Sequence, residues 1–90
     1  MNNDNEHLTR LYETILNLKT VKDCENFFSD LCTPKELSAM AERLYGAYLL
    51  TDGLTYEQVI KKAKLSSATL SRISKCIKKG EGYKKFIKKG

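Results

Sequence analysis

Histidine and cysteine are scarce in these 90 residues, and each scarcity removes a class of function. His7 is the sole imidazole and stands near the amino end, leaving histidine-based acid–base catalysis or metal ligation with one group in a position expected to fray. Cys24, Cys32 and Cys76 are odd in number and lack C-x-x-C spacing, so they read as buried or idle thiols rather than as a disulfide framework or a metal site. Strand-like alternation is absent, and no glycine-rich phosphate cradle follows a strand. No apolar run approaches the ~18–20 residues of a bilayer span, and the opening "MNNDNEHLTR" is polar and partly acidic, unlike a secretory or transit peptide. These absences point to a cytosolic protein that is not an enzyme, holds no metal and needs no membrane.

What is present suits one small folded domain spanning residues 1–90. Apolar residues make up 41% and charged residues 30%, an ordinary globular balance. A chain of this length buries only roughly 60–65% of its unfolded surface, so association with a partner subunit is expected to add stability. The net charge of +5 conceals a division. Residues 1–53 carry 5 Lys/Arg against 9 Asp/Glu, or −4, and residues 54–90 carry 11 against 2, or +9. A polyanion would bind the second half.

Periodicity predicts helices throughout. Leu8, Leu11, Tyr12, Ile15 and Leu16 mark one amphipathic helix over about residues 4–19. Thr20 as N-cap with Asp23 as a first-turn acid starts a second, carrying Cys24, Phe27, Phe28 and Leu31, and residues 1–32 together form an amino-terminal helical segment. "TPKE" opens the central helix of segment 33–53, with Thr33 as N-cap, Pro34 at the first helical position and Glu36 closing the box. Its inner stripe is Leu37, Met40, Ala41, Leu44, Ala47 and Tyr48; Gly53 ends it, and Gly46 inside it signals close approach to another backbone. Two short helices follow in segment 54–78. Thr55 and Gln58 cap the first, which holds Val59, Ile60 and Ala63; Ser66 caps the second, which holds Leu70, Ile73 and Ile77. Residues 79–90 form a basic tail with a short helix at Tyr83, Phe86 and Ile87. The fold class is all-α with five to six helices.

Two short helices joined by a tight turn have the proportions of a helix-turn-helix. The second would enter the major groove of double-stranded DNA, where its first exposed positions must be small and polar; Ser67, Ala68 and Thr69 meet that need. Ser66 would act both as N-cap and as a hydroxyl near phosphate, aided by the positive end of the helix. Ser71, Arg72 and Lys75 remain for backbone or base contacts, fringed by Lys61, Lys62 and Lys64.

At these residues the chain resembles a known family. "LSSATLSRI" looks like the start of a bacterial repressor's recognition helix. The span "TPKELSAMAERLYGAYLLTDGLTYEQVIKKAKLSSATLSRISK", Thr33 to Lys75, resembles the Trp repressor family, and within it the Trp-repressor-related branch of the YerC/YecD type. The resemblance implies an intertwined homodimer with interlocked amino-terminal helices, placing two helix-turn-helix heads in successive major grooves ~34–36 Å apart. It also implies a transcriptional repressor whose corepressor, L-tryptophan, lies between two arginines, matched here by Arg43 and Arg72. The chain departs from that pattern where tryptophan binds. Ile73 stands where tryptophan-binding members have glycine, and Cys76 replaces a serine near the ligand's amino group. An isoleucine would fill the indole's volume and a thiol is a poorer polar partner than a hydroxyl, which leaves binding without a ligand or with another small effector. Glu57 stands where the Trp repressor places a basic residue on DNA, so the operator sequence does not carry over. The alternative is an adaptor of the same fold that binds a protein or RNA partner, with Tyr56 and Tyr83 as the stacking aromatics of the basic half.

Overall fold

A computed structural model describes residues 3–87. Within them the secondary structure is six α-helices and no strand: α1 (Asn3–Ile15), α2 (Val21–Leu31), α3 (Pro34–Thr51), α4 (Tyr56–Lys62), α5 (Ser67–Lys79) and α6 (Gly82–Phe86). The all-helical expectation holds. The last three residues of the expected basic tail, Lys88 to Gly90, and the first two of the polar amino end lie outside the described residues. The chain separates into two compact units, one ending at Pro34 and the other beginning at Lys35.

In the first unit α1 is shorter than its periodicity predicts. The backbone N–H groups of Asn17 and Leu18 donate to the carbonyls of Thr14 and Ile15 at 3.0 Å each, tightening the last turn, while the Thr14 hydroxyl donates to the Arg10 carbonyl at 2.7 Å. The Lys19 N–H donates to Asp23 Oδ2 at 3.1 Å, and Thr20 Oγ1 accepts from the Asp23 N–H at 3.0 Å. These bonds commit residues 19–23 to starting α2 rather than extending α1. Leu16, expected on the apolar stripe, is consequently 81% exposed. Leu11, Ile15, Leu18, Phe27 and Phe28 reach only half-burial, although Phe27 and Phe28 meet edge to face at 5.3 Å between ring centroids.

The second unit has a closed core. α3 begins at Pro34, where "TPKE" places it, and stops in a double reverse bond: Gly53 N–H donates to the Leu50 carbonyl at 3.0 Å and Leu54 N–H to the Leu49 carbonyl at 3.1 Å. Gly53 takes φ +98°, which only glycine adopts readily. Redirected there, the chain lays α4 and α5 on α3. Ala47, Val59, Ala63, Leu70, Ile73 and Ile87 are buried together, with Leu49, Leu50, Leu54, Leu65, Ile77 and Tyr83 packed around them.

Four details differ from the sequence expectations. Of the stripe predicted for α3, Ala47 is buried and Leu37 half-buried, whereas Met40, Ala41, Leu44 and Tyr48 are exposed; α3 is apolar on two faces, and the unit's core uses the one containing Gly46 and Ala47. Gly46 is indeed a point of close approach, but to side chains. A Cβ there would overlap Leu65 Cδ1 and lie 3.6 Å from Leu70 Cδ2 and 3.7 Å from Ile73 Cδ1. In the α6 region Ile87 is buried and Tyr83 half-buried, yet Phe86 is exposed, with Lys85 Nζ 5.6 Å from its ring centroid. Ile60 on α4 is likewise exposed rather than packed.

Candidate nucleic-acid interface

α4 and α5 are started by their own side chains. Gln58 N–H donates to Thr55 Oγ1 at 3.2 Å and Thr55 N–H to Gln58 Oε1 at 2.9 Å, a complete capping box. α4 closes when Ala63 N–H donates to the Val59 carbonyl at 2.7 Å, and Leu65 N–H donates to the Ala63 carbonyl at 3.0 Å within the turn. At the start of α5, Ser66 Oγ accepts from Thr69 N–H at 3.1 Å and donates to Thr69 Oγ1 at 3.0 Å. The hydroxyl that the sequence assigns to both cap and phosphate is therefore engaged within the turn. Its bond to Thr69 frees the Thr69 hydroxyl hydrogen to donate elsewhere.

Leu70 and Ile73 on α5 and Val59 on α4 anchor the pair from beneath. This leaves Ser66, Ser67, Ala68, Ser71, Arg72 and Lys75 exposed on α5 and its cap, with Thr69 half-buried. Lys61, Lys62 and Lys64 are also exposed at the end of α4 and in the turn. None of these five cationic side chains, Arg72 and Lys75 included, makes an ion pair among the described residues. α5 has no acid in its first turn, and the N–H groups of Ser67 and Ala68 have no carbonyl partner within the helix. A helix amino end thus combines free donors, partial positive charge and small side chains with cations alongside, a combination suited to phosphate and groove edges.

Of the residues expected to hold a small ligand, Arg43 and Cys76 line two different clefts. Arg43 lines an open cleft of about 360 Å³ with Lys35, Ser38, Glu42, Lys64 and Thr69. Ile73 is 2% exposed and belongs to the core above Gly46. Cys76 lines a different, apolar groove of about 590 Å³ with Leu44, Tyr48, Tyr83, Phe86 and Ile87. Arg72 is exposed and lines neither. Sequence reasoning passed over Lys35, Ser38 and Glu42. Their own spacing of three and four residues along α3 puts Lys35, Ser38 and Glu42 on one polar helix face, the signal that would have found them.

The described residues contain no cluster of three potential metal-ligating side chains and no helix long and apolar enough to cross a membrane. The profile of the family described as Trp repressor protein matches residues 6–90. The chain is 39% identical over 75 residues to YerC, an uncharacterized protein of Bacillus subtilis (strain 168), covering 83% of this chain and 72% of that one. It is also similar to the crystal structure of a TrpR-like protein from Eubacterium eligens, with a TM-score of 0.82, 31% identity, and 88% and 82% of the two chains covered. A candidate Trp repressor from Staphylococcus aureus superposes with a TM-score of 0.81 at 32% identity over 88% of this chain and 80% of its own. A match that runs through the central helix and the helix-turn-helix packed on it makes this chain a member of the Trp repressor family.

Proposed function

We propose that the protein is a homodimeric, sequence-specific regulator of transcription, most simply a repressor, that binds double-stranded DNA through α4 and α5 and does not require tryptophan. The carrying observation is the exposed, small and hydroxyl-rich first turn of α5, flanked by five cations and held on a closed core. Ser67, Ala68 and Thr69 would meet base edges, while Ser71, Arg72, Lys75 and the lysines of α4 and the turn would meet phosphates. The dimer is supported by the apolar surface that a single copy leaves open: Leu44, Tyr48 and Phe86 beside the groove, and Leu8 and Tyr12 on α1, Leu16 just after it and Val21 at the start of α2. Residues 1–32 would then serve assembly, 33–53 the scaffold, 54–78 DNA reading, and the basic segment 79–90 the flanking phosphates. Independence from tryptophan is supported by Ile73, a core residue rather than part of an open pocket, and by the separation of Cys76 from Arg43.

The test is selection from a randomised duplex library with and without L-tryptophan, followed by affinity measurement against salt. A pseudo-palindromic consensus in both arms is expected, with affinity falling ~10³–10⁵ between 50 and 200 mM salt for roughly 6–10 phosphate contacts. Enrichment only with tryptophan would overturn the ligand-free reading. A flat salt response, or stronger competition by RNA than by duplex, would favour an adaptor role for the same fold.

A further inference from the structure

The turn between α4 and α5 contains three consecutive backbone N–H groups whose partners decide how α5 is held. Ala63 N–H closes α4 on the Val59 carbonyl and Leu65 N–H closes on the Ala63 carbonyl. The intervening Lys64 N–H finds no backbone acceptor; it donates to Glu42 Oε1 on α3 at 2.9 Å. One helical turn along α3 from Glu42, Gly46 leaves the space into which Leu65 Cδ1 fits, since a Cβ there would overlap it. The Lys64–Leu65 dipeptide is thus fixed to α3 twice, by its backbone at Glu42 and by its side chain at Gly46.

From this geometry we infer that Glu42 is a positioning residue for DNA recognition: its carboxylate clasps the Lys64 amide and so sets the angle at which the first turn of α5 meets the groove. The inference rests on the DNA-binding reading above. Glu42 is half-buried in the cleft beneath the turn, two residues' reach from the cap Ser66. A carboxylate next to Lys64 subtracts from the attraction for phosphate, so electrostatics alone gives it no reason to stand there. Orientation does: contacts that read bases must hold within about 0.5 Å and 10–20°, and a turn released from α3 would let α5 rock beyond that. Non-specific binding depends on charge rather than on angle and should be insensitive to the clasp.

Glu42→Ala removes the acceptor, whereas Glu42→Gln keeps a carbonyl oxygen in its place. With Glu42→Ala, affinity for the selected duplex should fall roughly tenfold, the scale of one hydrogen bond to a charged acceptor, while affinity for a scrambled duplex should hold or rise, because the substitution also removes a negative charge. Glu42→Gln should bind the selected duplex within about threefold of wild type. Amide hydrogen exchange at Lys64 should be slow in the wild type and in Glu42→Gln but fast in Glu42→Ala. Equal losses on both duplexes, an unchanged Glu42→Ala protein, or a Glu42→Gln protein as weak as Glu42→Ala would each overturn the inference. If the wild type itself enriches no duplex, the proposed function falls, and the exchange measurement still judges the clasp: a slowly exchanging Lys64 amide in Glu42→Ala sinks it.

Discussion

The helices before Pro34 and those after it are built on the same periodicity but bury different amounts of it. In the first unit no described residue is buried, and its two phenylalanines, Phe27 and Phe28, are half-buried against one another. In the second, Leu70 and Val59 are wholly enclosed and four further side chains join them. An amphipathic pattern specifies which face will be covered and is silent about what covers it. For α4 and α5 the cover is α3 of the same chain. For α1, α2 and the second apolar face of α3, the proposed cover is a partner copy.

That contrast can be broken from either side. The largest effect is expected from Leu44→Glu, which puts an unpaired carboxylate into the apolar groove; the desolvation of such a charge costs several kcal/mol. Sedimentation should show a shift from dimer to monomer, and the melting temperature should lose its dependence on protein concentration. A dimer that survives this substitution would place the interface elsewhere. Leu70→Ala should act on the closed core instead, lowering unfolding free energy by about 2–5 kcal/mol in denaturant titrations with the oligomeric state retained. Ser66→Ala should have the smallest effect, about 1 kcal/mol from the lost N-cap, because the rest of α5 stays anchored by Leu70 and Ile73. Circular dichroism on denaturation would report it. DNA affinity should fall more than stability, since the Thr69 hydroxyl loses the donor that orients it.

Much of the second unit was legible because its instructions are local. The pairs Thr55 with Gln58 and Ser66 with Thr69 lie three residues apart, and Gly53 needs only its own φ to end α3. The exposed set on α5 followed from the same reasoning, because Leu70 and Ile73 fix which residues face outward. What could not be read depends on contacts remote in sequence. The bond from Lys64 N–H to Glu42 joins residues 22 apart, and the fit of Leu65 over Gly46 requires α3 and the turn to be already in place. Ile73 was expected to block a ligand. Its volume goes into the core, because a glycine facing it on α3 makes room. The early end of α1 was missed for a smaller reason: Thr14 and Asp23 compete locally for backbone groups that periodicity alone assigns to the helix.

The confinement of the core to Ala47 through Ile87 also orders events in time. Its contacts join short helices close together in the chain, the low-contact-order arrangement that folds in microseconds to milliseconds. Pairing of two chains is a bimolecular step whose rate depends on concentration. On the proposed dimeric, DNA-binding reading, the α4–α5 head would therefore be finished while the amino-terminal helices still await a partner copy, and expression level would govern how many complete readers the cell holds without changing the quality of each head.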